Sequence, residues 1–197
     1  MQGLIILDKP AGMTSFSAVA NVKRIFSEKR VGHTGTLDPM ATGVLPILLG
    51  RATRLCELML HADKRYTAEI LLGKTTDTLD ITGETLTETE CDISLLDFDK
   101  ACNNFRGEIS QVPPMYSALK INGQKLVDLA RKGKTVERQP RPITIHELTL
   151  LETGENTLRL RVRCSKGTYI RTLCKDIGEA LGCGGCMQEL RRVTAGE

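Results

Sequence analysis

The sequence has no tryptophan and only three tyrosines and four phenylalanines among its 197 residues, so each aromatic is worth locating. No apolar run approaches the roughly eighteen residues of a membrane-spanning helix, which excludes a helical span. The opening MQGLIILDKPAG has no basic segment ahead of its short apolar run, so it does not read as a secretory leader, and a cytoplasmic location is expected. A G-x-G-x-x-G loop is missing. GKTT, beginning at Gly73, lacks the glycine that a phosphate loop needs five residues earlier, where Ala68 stands. Cys183-Gly-Gly-Cys186 has the spacing of half a zinc site, but no second C-x-x-C or C-x-x-H accompanies it, and no metal is expected. Seven cysteines, an odd number without a leader, predict reduced thiols in structural or incidental positions.

What is present is charge of uneven distribution. Eight acidic residues and no Lys or Arg lie between Asp77 and Asp99, so the rest of the chain carries 27 basic against 16 acidic residues. That basic body suits a polyanion, and it suits a solvated surface beside an acidic lobe equally well. Residues 120–141 hold seven Lys or Arg against Asp128 and Glu137.

Residues 3–7 read as a short buried strand. Thr14 or Ser15 can cap a helix with Phe16, Val19, Val22 and Phe26 on its apolar stripe. Residues 52–60 have helical spacing. Residues 66–72 alternate as a strand with one buried face, which leaves Tyr66 open between core and site. Residues 73–83 read as a polar loop, and Ser94 can cap a helix to about residue 105. Short strands are expected at 109–112 and 115–121, then an Asn122-Gly123 hairpin turn and an amphipathic helix at 124–131 presenting Leu126, Leu129 and Ala130. Strands at 142–151 and 157–165 follow, the second with Arg159, Arg161 and Arg163 on one face. These arginines keep a sheet soluble or grip a backbone, and the sequence does not choose. A helix over 168–181, stopped by Gly182, and a strand over 187–193 close the chain. Arg171 at that helix's start runs against the dipole preference, which argues for a specific anionic partner. Helices and strands interleave without regular βαβ spacing, so the order of elements does not by itself give the fold class.

The stretch RVGHTGTLDPMATGVLPILLG, beginning at Arg30, joins a Gly-punctuated polar loop to one carboxylate, Asp38, locked ahead by Pro39. Gly32 and Gly35 are expected to supply backbone angles closed to other residues, and Pro39 keeps Asp38 out of the helical region. An isolated Asp-Pro is ordinarily a turn. Here the whole word GHTGTLDPMATGVLP, with GLIILDKPAGMTS, KRYTAEILLGKTTDTLDITG, VPPMYSALKINGQKLVDLARKG, CSKGTYIRTLCKDIGEALG and LRR, resembles the TruB-type tRNA pseudouridine-55 synthases over essentially the full chain.

That resemblance implies an α+β catalytic core on a mixed, largely antiparallel sheet flanked by helices, with a basic insertion between about residues 112 and 146 that closes over RNA. It implies an enzyme that isomerises a uridine in the T-arm of tRNA, with no cofactor and no membrane association, and a monomer is expected. Asp38 is then the catalytic acid, and Arg171 its guanidinium partner. Tyr66 receives the flipped-out base, Tyr169 and Leu190 wall the pocket, and His33 contacts the RNA. Lys9 and Asp80 are supporting candidates. Bacterial members usually carry a small RNA-binding domain after LRR, and the chain, read as one catalytic domain over 1–197, is expected to lack it.

The chemistry agrees with this cast. A sugar losing its base becomes electron-poor at C1′, where one carboxylate suffices, while hydrolysis would call for a second acid to activate water. A base inside folded RNA must be everted onto an aromatic surface. An RNA-binding module without catalysis, a methyltransferase using a cysteine, a glycosidase and an RNA-folding assistant are the competing readings. The first would not require Asp38, the second lacks a cofactor loop, and the third lacks its second acid.

Overall fold

The computed structural model describes residues 1–92 and 95–196. β1 (Gly3–Lys9) turns into α1 (Ser15–Phe26), followed by β2 (Val31–His33), β3 (Thr42–Leu49), a 3-10 segment (Gly50–Leu55), α2 (Cys56–Leu60) and β4 (Lys64–Leu72). Next come the hairpin of β5 (Lys74–Thr76) and β6 (Thr85–Glu88), α3 (Leu95–Asn103), β7 (Gly107–Gln111), the small hairpin of β8 (Lys120–Ile121) and β9 (Gln124–Lys125), and α4 (Leu126–Ala130). The chain continues as β10 (Arg141–Thr153), β11 (Thr157–Cys164), α5 (Ile170–Ala180) and β12 (Gly185–Ala195). The cap expected at Ser94 lies outside the described residues.

Seven strands follow one another as β1-β3-β12-β4-β11-β10-β7, with β2 also on β3. Every pairing in this sheet is antiparallel except β3 with β12, giving the mixed, largely antiparallel α+β fold that the sequence predicts. Period-two patterning decides the buried face. Tyr66, Ala68, Ile70 and Leu72 of β4 and Leu158, Leu160, Val162 and Cys164 of β11 point into the core. Onto β4 and β12 packs α5, through Ile170, Leu173 and Ile177 at three- and four-residue steps. Each such aliphatic side chain contributes about 1.5–3 kcal/mol on full burial, so this face fixes where α5, and with it Arg171, must lie. Gly43 admits the parallel strand. Its φ is +100°, and a Cβ there would collide with the carbonyl oxygen of Arg192.

Several expectations need correction. β1 lies at the sheet edge, with Leu4 and Ile6 exposed rather than buried. α1 turns Ser15, Ala18, Val19 and Val22 inward and leaves Phe16 81% exposed, because Ser15 is bonded to the loop ahead of β3 and that bond sets the helix's rotation. Thr14 is the cap, accepting from the Ser17 amide. Of the expected loop over 73–83, residues 74–76 are strand β5, which pairs with β6, and 77–83 are the turn between them. In the segment 115–121 only Lys120–Ile121 is extended; Asn122 and Gly123, both at positive φ, make its turn. Gly32 does not need a left-handed angle: it sits in β2, where a Cβ would press on Cys56 Sγ at 3.1 Å. Gly35 does, at φ +124°. Finally, Cys91 and Cys183 form a disulfide across 92 residues, with Cα atoms 5.6 Å apart, contrary to the expected reduced thiols. No local spacing signals a pair that only the docking of the β5–β6 hairpin against the turn after α5 brings together.

The three arginines of β11 face acids on β4, on β10 and at the residue ahead of β4. Arg159 meets Glu69 at 2.8 Å and Glu152 at 3.5 Å, Arg161 meets Glu147 at 3.9 Å, and Arg163 meets Asp63 at 3.1 Å. The pairs to Glu69, Glu147 and Glu152 are cross-strand pairs.

Candidate active site

The segment carrying Asp38 has no regular structure of its own, and the N-terminal turn holds it. Lys9, at the end of β1 and fully buried, donates to the carbonyls of Pro10 (2.8 Å), Met13 (2.7 Å) and Pro39 (3.2 Å). The Gly12 amide donates to the same Pro39 carbonyl at 2.8 Å. Ser15 Oγ accepts from the Leu37 amide at 2.9 Å and donates to the Leu37 carbonyl at 3.1 Å. Both neighbours of Asp38 are therefore fixed from one side. Lys9 is a brace, and burial pushes its ammonium pKa down, partly offset by Asp38.

From the other side comes Arg171, in the first turn of α5. Its Nη2 donates to Asp38 Oδ1 at 3.1 Å and its Nε stands 2.9 Å from Asp38 Oδ2, an ion pair closed at two points. Nη2 also donates to the Tyr116 carbonyl at 2.7 Å and Nη1 to the Thr78 carbonyl at 3.0 Å. Asp80 Oδ2 stands 3.7 Å from Nη1. Asp80 is itself buried, and its Oδ1 accepts from Thr78 Oγ1 at 2.9 Å and from the Thr82 amide at 3.0 Å. The guanidinium is thus oriented by four groups from three segments. Arg171 lies almost wholly inside, while the Asp38 side chain retains 30% of its exposure. Burial raises the Asp38 pKa, Arg171 opposes the rise, and the charge of Asp80 adds to it.

Asp38 and Arg171 open onto a cavity of about 440 Å³, within the range for a small-molecule site. Tyr66, Tyr169 and Leu190 line it, and Asp38 is the one acid among the described residues that do. Tyr66 and Leu190 share a face through the register of β12 on β4, where Leu190 pairs with Ala68 and Arg192 with Tyr66. Burial pushes the Tyr66 phenol up to about 12, so it stays protonated. Tyr169, at the N-cap of α5, completes the wall. His33 and Asp80 are not among the lining residues. Half-buried on β2, His33 accepts from the Gly35 amide at 3.3 Å through Nδ1, and burial followed by the nearby Arg192 lowers its pKa. Asp80 lies behind Arg171.

Sequence reasoning missed four contributors. Lys64 and Arg192 line the cavity, 7% and 1% exposed, and are held by carbonyls: Lys64 Nζ by Leu60 at 2.8 Å, Arg192 by Val44 at 2.7 Å and Gly35 at 3.1 Å. Among the described residues neither has a carboxylate partner, so they add positive charge to a site whose Arg171 is already shared by two acids. Their signal was available, since each sits two residues from a chosen one, Lys64 from Tyr66 and Arg192 from Leu190, on the same strand face. Tyr116 enters through its carbonyl, which no side-chain reading finds. Gln111 touches the backbone of Tyr169 and left no sequence signal.

Comparison with known proteins gives the following. The description "TruB family pseudouridylate synthase (N terminal domain)" matches residues 23–170, and "tRNA pseudouridylate synthase B C-terminal domain" matches residues 171–197. The boundary falls between Ile170 and Arg171, so Asp38 and its partner lie on opposite sides of it. A tRNA pseudouridine synthase B of Pseudomonas fluorescens (strain Pf0-1) is 52% identical over 196 residues, which cover 100% of this chain and 64% of that protein. One of Clostridium novyi (strain NT) is 48% identical, covering 100% and 68%. The chain thus spans about two thirds of the length of these curated relatives. Among solved structures, a Cbf5–Nop10–Gar1 complex contains a chain that matches with a TM-score of 0.77 at 35% identity, covering 98% of this chain and 48% of that one. An H/ACA ribonucleoprotein bound to a substrate RNA containing 2′-deoxyuridine matches at 0.74 and 32% identity, covering 98% and 47%.

Proposed function

We propose that this chain, which belongs to the TruB family of pseudouridylate synthases, converts a uridine in the T-arm of tRNA, at position 55, to pseudouridine. The observation that carries the reading is Asp38, the one acid among the described residues lining the cavity, held by Arg171 at 2.9 and 3.1 Å at the edge of a space walled by Tyr66, Tyr169 and Leu190. In the reaction the N1–C1′ bond breaks, the uracil turns, C5 bonds to C1′, the C5 hydrogen leaves as a proton and N1 gains one. No external reactant is consumed. One carboxylate acting on the substrate is what this requires, and a second acid in the cavity would favour activation of water instead.

Each neighbour has a task in that sequence. Arg171 keeps Asp38 ionised in a site where burial pulls the other way, and a guanidinium stays charged at any working pH. Tyr66 and Tyr169 offer ring surface to an everted base, with Leu190 closing the apolar wall, and enclosure by these residues excludes water while the glycosidic bond is open. Asp80 orients Arg171 from behind. Lys9 fixes the Pro39 carbonyl and so the backbone beside the acid. His33 reaches RNA from beyond the cavity. Lys120, Lys125, Arg131, Lys132 and Lys134 of the insertion are exposed, which suits contact with phosphates around the loop.

The test is release of tritium from C5-labelled uridine in a T-arm hairpin. The chain is expected to release it, and Asp38→Asn to release none; an Asp38→Asn protein that still converts the uridine would take Asp38 out of the chemistry, and a parent that releases no tritium would leave an RNA-binding role only.

A further inference from the structure

We propose that Gln111 is a positioning residue for the isomerisation, setting Tyr169 and Arg171 by clamping the backbone at the start of α5. The proposal rests on the functional reading above. Gln111 is the last residue of β7 and 2% exposed. Its Oε1 accepts from the Tyr169 amide at 2.8 Å, and its Nε2 donates to the Tyr169 carbonyl at 3.1 Å. One side-chain amide thus satisfies both backbone groups of one residue, a two-point grip that fixes orientation as well as place. Tyr169 is the N-cap of α5, and no side-chain cap of its own holds it. The grip supplies the acceptor for the Tyr169 amide, one of the N-terminal amides that a helix leaves without a partner of its own, and its carbonyl bond adds to the one from the Leu173 amide at 3.1 Å.

The other end of the grip is equally placed. Gln111 pairs in register with Arg141 across β7 and β10, so these two residues close the neck of the basic insertion. Two residues beyond Gln111, Pro113 accepts from Arg138 Nη1 at 3.2 Å, tying the insertion's outgoing strand back to its start. Within that insertion the Tyr116 carbonyl accepts from Arg171. Gln111 therefore joins the insertion's neck to the helix that carries the guanidinium, and the Tyr116 contact repeats the link from the far side of Arg171. Removing the amide frees Tyr169 to shift, and a misplacement of about 1 Å at such a site can cost on the order of a hundredfold in rate.

The experiment compares Gln111→Met with Gln111→Glu by tritium release and by NMR titration of the Asp38 carboxyl. Gln111→Met lacks both hydrogen bonds, and its kcat is expected to fall about ten- to a hundredfold with KM within about threefold of the parent. In Gln111→Glu the protonated carboxyl offers the same acceptor and donor, and the ionised form loses the donor. Its kcat relative to the parent's should therefore fall as pH rises, whereas the ratio for Gln111→Met should be low at every pH. Above the pH at which Asp38 titrates in either protein, dividing by the parent profile removes what Asp38, Arg171 and Arg141 contribute to both. The Asp38 carboxyl should titrate at higher pH in Gln111→Met, since a displaced Arg171 opposes its protonation less, and this readout needs no turnover. A parent that releases no tritium would end the functional reading while the Asp38 titration still decided the clamp. Unchanged kcat in Gln111→Met, a pH-independent ratio for Gln111→Glu, or an unmoved Asp38 titration would each overturn the proposal. If Gln111→Met does not fold, the pH series on Gln111→Glu alone decides between clamp and bystander.

Discussion

The acid side of the cavity and its guanidinium side are built in opposite ways. Asp38 is held by Lys9, Gly12 and Ser15, all within 30 residues of it in sequence, through bonds to its two neighbours rather than to itself. Arg171 is held directly, by Asp38, Thr78 and Tyr116, across separations of 133, 93 and 55 residues. A loop braced through its flanks keeps its carboxylate free to act. A cation gripped through its own nitrogens is spent on orientation. The difference predicts that damage on the acid side appears mainly as lost chemistry or lost stability, and damage on the guanidinium side as altered titration of the acid.

The sharpest way to break that contrast is to remove the acid. Asp38→Ala should lower single-turnover tritium release at least about a thousandfold, as loss of a reacting group does elsewhere. Circular dichroism should show the fold kept, since the braces on Leu37 and Pro39 do not use the carboxylate. Residual turnover within tenfold of the parent would mean that the loop is only a frame.

Arg171→Lys is next, with a loss of about a hundredfold, because an ammonium cannot reproduce the two-point pair or reach Thr78 and Tyr116 together. The sign of the pH effect follows from the Asp38 shift. Burial raises its pKa and Arg171 lowers it, and activity needs the ionised form, so activity should fall with falling pH from above the ordinary aspartate range. With the guanidinium gone, that acid limb should move to higher pH in the kcat/KM profile, which reports the free enzyme. A limb that stays where it is would detach Arg171 from the ionisation of Asp38.

The contrast also explains what could be read ahead of the structure. Asp38 and its brace lie in two short words, and Pro39 and Gly35 state their backbone demands in residue type. The sheet was legible because β4 and β11 alternate strictly. Where a residue's role came through main-chain atoms, as with the Tyr116 carbonyl, or through an amide serving a distant backbone, as with Gln111, residue type carried no message. The α1 stripe was misplaced because a hydrogen bond from Ser15, rather than the burial of phenylalanine, sets the helix's rotation. The Cys91–Cys183 pair, like the arginines of β11, depends on which segments meet, and spacing does not encode that.

Lys9→Met should fall between chemistry and structure. It removes a buried ammonium that serves three carbonyls and leaves those carbonyls without their shared donor, which costs about 1–3 kcal/mol for an unsatisfied group. Urea unfolding should show that loss, with tritium release down about tenfold through a loosened Pro39, on the scale expected for a small misplacement. Full activity with unchanged stability would show that Gly12 and Ser15 hold the loop unaided.

The smallest effect should come from the insertion. Lys120 and Lys125 flank the turn of the β8–β9 hairpin, are exposed, and pair in register across its two strands. Changing both to Gln touches no bond to Asp38 or Arg171, so single-turnover rate at saturating RNA should stay near the parent's. If each lysine neutralises one phosphate, the slope of log affinity against log salt should shallow by about 0.7–0.9 per lysine, with affinity down several-fold at low salt and little changed at high salt. That result would separate the binding surface from the reacting pair. A double variant with parental salt dependence would take the hairpin out of the RNA contact and leave it to Arg131, Lys132 and Lys134 of the insertion and to the cavity cations.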